Sequence, residues 1–222
     1  MEDKLQQGIE AMNKGQFETA AKFFNDAIEE DPKDPNGYTH FGHLLVTLGQ
    51  PEKALSFYEK AISLKEDHLP AIYGLGNAFY NLQEYKQALK KYQLALTADD
   101  QSSDVYYMMG LSYLRLNQTG SALASFQRAV ELNHEDIDAR FQYGLLLAHI
   151  GQIELAEEQF KKVISQDPEH ADAYYNLGVS AMYHDEVELA KQYFEKALAV
   201  QKDHLLAANG LKKIEERLNE PK

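Results

Sequence analysis

Apolar and small residues return along this chain at a fixed interval, broken by short polar turns. In residues 171–204, ADAYYNLGVSAMYHDEVELAKQYFEKALAVQKDH, Tyr174, Leu177, Gly178 and Ala181 fall at i, i+3, i+4 and i+7. That spacing lays them on one face of a helix. Ala190, Phe194 and Ala197 mark the face of a second helix, and His184-Asp185-Glu186 forms the turn between them. The pattern predicts a helical hairpin.

The same unit recurs six times at 34-residue spacing. Glycine stands at Gly8, Gly42, Gly76, Gly110, Gly144 and Gly178. Twelve residues on comes alanine: Ala20, Ala54, Ala88, Ala122, Ala156 and Ala190. An aromatic follows four later, at Phe24, Tyr58, Tyr92, Phe126, Phe160 and Phe194. Three beyond it lies a small residue: Ala27, Ala61, Ala95, Ala129, Val163 or Ala197. Glycine facing alanine would let the two helices approach closely, with the aromatic filling the groove beside them. Helices this short are unstable alone, so hairpins must stack and bury each other's faces.

The run aromatic–x–x–Leu–Gly–x–x–Tyr, then Ala, aromatic, Ala and Pro, resembles the tetratricopeptide repeat (TPR) over residues 1–204. The resemblance implies an all-α fold: a right-handed α-solenoid of six hairpins, with first helices lining a concave groove and second helices forming the convex back. One solenoid domain is expected over 1–222, with repeats 1–34, 35–68, 69–102, 103–136, 137–170 and 171–204 and a capping helix at 205–219. Three departures stand out. Lys4 and Arg140 occupy a usually bulky apolar column, which should weaken local packing, and only Pro32 and Pro168 fill the closing proline position.

Turn chemistry refines the boundaries. Gly15 and Gly49 each end a first helix, Asp31-Pro32 ends a second, and Pro51 sits early in its helix, where a missing N–H is harmless. Gly120, in the first turn of its helix, should make repeat 4 the most easily frayed hairpin. In 205–222, Ala208, Leu211, Ile214 and Leu218 make one apolar stripe among charged residues, and Lys212 replaces the column glycine. This reads as a solvating cap.

Charge and composition narrow the function. The net charge is −13, which argues against nucleic-acid phosphates and anionic lipid. Repeat 1 is the most acidic segment, with nine acids and four bases, and repeat 3 is neutral. There is no cysteine, hence no disulfide framework and no thiolate chemistry, as suits a reducing compartment. Residues 1–16 have neither the basic nor the apolar region of a secretory signal, and no apolar run is long enough to cross a bilayer. The expectation is a cytoplasmic protein, a monomer or weak homo-oligomer, with no cofactor.

On the family's pattern, positions 2, 5, 6, 9, 12 and 13 of each repeat line the groove. Position 5 carries Tyr73, Tyr107, Phe141 and Tyr175 in succession. Neighbouring positions add Met108, Leu111, Leu114, Leu145, Val179 and Met182, with Tyr80 and Tyr183 beside them. Polar candidates are Asn77, Asn81, Gln142 and Asn176, which would bond a ligand's backbone, together with Arg115 and His149. An exposed apolar set of this kind marks an interaction site, although tyrosine at position 5 also serves packing. Asp104, Asp138 and Asp172 at position 2 support helix starts or form an acidic rim selecting basic flanks on a ligand. The family's cationic clamp for chaperone carboxylates has no counterpart: from repeat 3 the corresponding residues are Tyr73, Asn77, Met108, Asp138 and Gln142.

His40 and His43 share a helix face but lack a third metal ligand, and His68, His170 and His204 read as turn residues. No phosphate loop, HExxH or nucleophile elbow is present. The expected function is therefore a non-enzymatic adaptor or scaffold binding a peptide or protein segment. The alternatives are a dedicated chaperone for secreted or assembling clients and a homo-oligomeric scaffold. An RNA-binding repeat is disfavoured by charge.

Overall fold

The computed structural model describes residues 3–219, and the described residues form thirteen α-helices and no strand. They are α1 (Lys4–Asn13), α2 (Phe17–Glu30), α3 (Pro35–Thr47), α4 (Pro51–Leu64), α5 (Leu69–Asn81), α6 (Tyr85–Ala98) and α7 (Ser103–Arg115). There follow α8 (Thr119–Leu132), α9 (Ile137–His149), α10 (Ile153–Gln166), α11 (Ala171–Tyr183), α12 (Val187–Val200) and α13 (Leu205–Asn219). Contacts group the chain into two compact units, residues 1–122 and 123–222. In the first, α1/α2, α3/α4 and α5/α6 are hairpins, and each second helix also packs on the next first helix as far as α7. In the second, α9/α10 and α11/α12 pair in the same way, and α10 packs on α11 and α12 on α13.

Two backbone devices repeat with the sequence. Position 15 is left-handed in all six repeats: Gly15, Gly49 and Gly151 supply it freely, while Gln83 (φ 62°), Asn117 and Asp185 adopt it with a side chain. At four of the six repeat ends the closing residue caps the next first helix with its side chain. Asp34 accepts from Asn36 N and Asp136 from Ala139 N. His170 and His204 do the same through Nδ1, toward Ala173 N and Ala207 N. These histidines are therefore helix caps, a more specific role than turn residue.

Each core layer is built on one fully buried ring. Phe24, Tyr58 and Tyr92 serve the first unit, and Phe160 and Phe194 the second, with the column alanines packed around them. The glycine column faces these rings rather than alanine. A Cβ added at Gly76 would meet Tyr92 Cε1 at 2.5 Å, and one at Gly178 would meet Phe194 Cε1 at 2.5 Å. Glycine is required because the ring edge occupies the volume a methyl would need.

Three details depart from the sequence expectation. In α13 the buried residues are Ala207 and Ile214, with Leu211 partly buried and Ala208 exposed; the side chain of Leu218 lies outside the described residues. Arg140 is buried and hydrogen-bonded inside its layer. Its buried guanidinium donates to Gln159 Oε1 (3.2 Å) and to the His134 carbonyl (2.7 Å), tying α9 to α10 and to the preceding turn. Lys4 is also accommodated, with Nζ 5.5 Å from the centre of the Phe23 ring.

Candidate functional site

The candidate residues divide between the units. Tyr73, Asn77, Tyr80, Asn81, Tyr107, Met108, Leu111, Leu114 and Arg115 belong to the first. Within it Tyr73 and Tyr92 lie with ring centroids 6.0 Å apart, and the Tyr92 hydroxyl donates to Asn77 Oδ1 at 2.8 Å. Burial holds the Tyr73 hydroxyl above the usual phenol range. Arg115 Nε reaches Tyr80 Oη at 3.5 Å, and Tyr80 packs edge-on against Tyr85. Tyr107, Met108, Leu111 and Leu114 are partly buried, while Asn81 and Arg115 are exposed.

Phe141, Gln142, Leu145, His149, Tyr175, Asn176, Val179, Met182 and Tyr183 belong to the second unit. Phe141 packs on Phe160 (5.7 Å) and on the capping ring of His170 (4.4 Å). Tyr175 repeats the arrangement with Phe194 (5.8 Å) and His204 (5.4 Å). Tyr73, Phe141 and Tyr175 thus each pack on their own hairpin's core ring. They are half-buried, and their packing role is real. Val179 and Tyr183 are 43% and 70% exposed.

The polar candidates are partly committed inside the protein. Asn77 spends its oxygen on Tyr92, and Asn176 Nδ2 donates to the Asp172 carbonyl at 2.8 Å. Asp172 is also engaged. Nδ1 of His204 accepts from Ala207 N, which leaves Nε2–H to donate to Asp172 Oδ1 at 3.0 Å. Asp104 and Asp138 are exposed in the first turns of their helices.

A groove of about 530 Å³ runs between α11, α12 and α13. Tyr175, Val179 and Met182 form one wall, as the sequence suggested, and Phe194 lines it from below. The other wall is Leu206, Asn209, Gly210 and Lys213 of α13, none of which sequence reasoning assigned to the site. The available signal was Leu206 at position 2, where three preceding repeats carry aspartate. It was hidden by reading α13 only as a cap.

In the first unit, burial pushes His43 down to about 4, with His40 and His68 adding to the effect. His40 is lowered too, burial outweighing the pull of Asp34. Among the described residues no cluster of His, Asp or Glu could hold a metal ion, and no helix is long and apolar enough to cross a membrane.

A tetratricopeptide repeat model matches residues 107–156 and 150–204, and the model for anaphase-promoting complex, cyclosome, subunit 3 matches 13–95. Among solved structures, YrrB, described as a TPR protein with an unusual peptide-binding site, is 42% identical with a TM-score of 0.72. The match covers 86% of this chain and 99% of YrrB. The chain belongs to the tetratricopeptide repeat family. Two further TPR-fold neighbours resemble it in fold alone. MamA is 24% identical over 77% of this chain and 93% of its own, with a TM-score of 0.68. PilF of Pseudomonas aeruginosa is 18% identical over 95% and 96%, with a TM-score of 0.84. No curated protein sequence matches this TPR chain.

Proposed function

We propose that this TPR protein is a non-enzymatic adaptor that binds a peptide or protein segment along its first helices. The observation that carries the reading is the open, apolar groove of α11–α13, continued on α9 and α11 by half-buried aromatics that keep one face outward. Contiguous exposed apolar surface of this kind is where partners dock, and its tyrosine and methionine content suits an interface. The peptide-binding site of YrrB, 42% identical, supports the same class of role. In the second unit anchoring comes from Phe141, Tyr175, Val179 and Met182, and in the first Tyr107 offers an anchor of the same kind. Backbone bonding falls to Asn81 and Gln142 and to the amide groups that Asn77 and Asn176 have left over. Asp104 and Asp138 favour basic flanks on the ligand.

The test is quantitative capture of partners from native extract by wild type and by the Tyr107→Ala, Phe141→Ala, Tyr175→Ala variant, with helicity verified by circular dichroism. Loss of a partner with the folded variant is the expected result. Equal capture would move the binding surface away from the first helices.

A further inference from the structure

Position 6 of the first helix lies over the core ring of the preceding hairpin. His40 is stacked on Phe24 there, with ring centroids 5.7 Å apart. Glycine stands at this position twice. A Cβ on Gly74 would lie 2.5 Å from Tyr58 Cε1, and one on Gly210 would lie 2.7 Å from Phe194 Cε2. Without a side chain at position 6, the glycine backbone closes directly on the ring beneath, and both rings are buried.

The surfaces beside the two rings then differ at position 9 of the preceding first helix. Beside Tyr58 that residue is His43, whose Nε2 stands 3.0 Å from the Cβ that Gly74 lacks and whose ring is 5.5 Å from the tyrosine ring. The imidazole fills the space. Beside Phe194 the equivalent residue is Val179, too short to reach across, and it stays 43% exposed. A groove of about 530 Å³ lies beside Val179 and Gly210, within the range of sites that hold small ligands, about 300–1,000 Å³.

The rim differs in charge from the rest of the molecule. The chain carries −13 overall, yet the groove's charged residues are Lys212, Lys213 and Glu216. Lys212 pairs with Glu216 at 3.7 Å, whereas Lys213 joins no ion pair among the described residues. Asp172, on the neighbouring helix, is held by His204. A spare ammonium therefore borders an apolar floor.

We infer that the α11–α13 groove takes one leucine-sized side chain of a partner segment and that Lys213 reads an acidic side chain next to it. The inference rests on the adaptor reading above and names the chemistry of the partner at this end. The apolar chain packs against Val179, Met182 and Leu206, and the carboxylate supplies the counter-charge that Lys213 lacks, with Asn209 beside it as a hydrogen-bonding amide. In a protein this acidic, such a pairing discriminates by position, since an acidic segment is repelled elsewhere.

The experiment titrates isotope-labelled full-length protein with the capped peptide acetyl-Gly-Leu-Glu-Gly-amide and its Glu-to-Gln twin, following backbone amide NMR signals. Saturable shifts at Val179, Gly210 and Lys213 are expected, with the twin bound at least about threefold more weakly, a modest factor for an exposed ion pair. Val179→His, which copies the plug of repeat 2, should abolish the shifts while helicity is kept. Lys213→Gln, on the exposed face, should erase only the preference for glutamate. No saturable shift at these amides, equal affinity for the twin, or unchanged binding by a folded Val179→His variant would each overturn the inference. So would concentration-dependent broadening without peptide that Val179→His removes, since a second copy would then be the occupant. Partner capture lost in the triple alanine variant but unaffected by Val179→His would leave the adaptor reading standing and sink this one. Peptide binding with capture unchanged in the triple variant would do the reverse.

Discussion

Gly76 and Gly120 form a pair in which one substitution should act with opposite signs. Both sit in helices at ordinary helical φ, so replacing glycine by alanine removes backbone freedom from the unfolded chain and gains up to about 1 kcal/mol. At Gly120 nothing lies within 4 Å of the new methyl. Gly120→Ala should therefore stabilise the protein by about 0.5–1 kcal/mol. At Gly76 the methyl would stand 2.5 Å from Tyr92 Cε1, when ordinary contact begins at 3.4 Å. The ring must retreat by about 0.9 Å (3.4 less 2.5), and it has nowhere to go: it is fully buried and its hydroxyl is bonded to Asn77. Overpacking of this kind costs about 1–3 kcal/mol or more. Set against the propensity gain, Gly76→Ala should lose about 1–2 kcal/mol. The assay is urea unfolding followed by far-UV circular dichroism, comparing midpoints at unchanged slope. Adding Tyr92→Leu tests the mechanism, because the cost of Gly76→Ala should largely vanish in that background. If Gly76→Ala raised the midpoint as Gly120→Ala does, the ring would not be what holds the position to glycine.

The first unit should weaken in acid. His43 is held neutral by burial at about 4, below the ordinary 6.5, so the unfolded chain binds the extra proton first. Its contribution is complete above pH 6.5 and is lost as pH falls toward 4, a span worth about 3 kcal/mol. Thermal midpoints across that range should flatten in His43→Gln, with a residual slope from His40 and His68, which are also lowered. Arg140→Ala should cost about 2–4 kcal/mol, because Gln159 and the His134 carbonyl lose a buried charged donor; an equal-stability variant by denaturant titration would refute the structural role given to Arg140. Gln83→Gly should stabilise by about 1 kcal/mol, since φ 62° strains any side chain, and a lowered midpoint would contradict it.

Much of this molecule was legible along the chain. The helices, their turns and the left-handed positions Gly15 and Gly49 follow from rules that act over a few residues, and the fixed interval repeated the lesson six times. Pairing glycine with alanine was the wrong partner for the right reason: spacing says that two helices come close, but only packing says which atoms meet, and the atoms are those of the ring. The roles of Arg140 and His204 were hidden for a related cause. Arg140 bonds Gln159 and His204 bonds Asp172, 19 and 32 residues away, across helices that must first be stacked. The groove depended most on tertiary structure. Glycine at position 6 and valine at position 9 are unremarkable letters taken separately. The groove beside Phe194 forms between the two because they stand in different helices that meet only on folding, whereas His43 stands at the corresponding place beside Gly74. Periodicity sets where helices run, because backbone geometry is local; a site arises from side-chain volumes that meet only after folding.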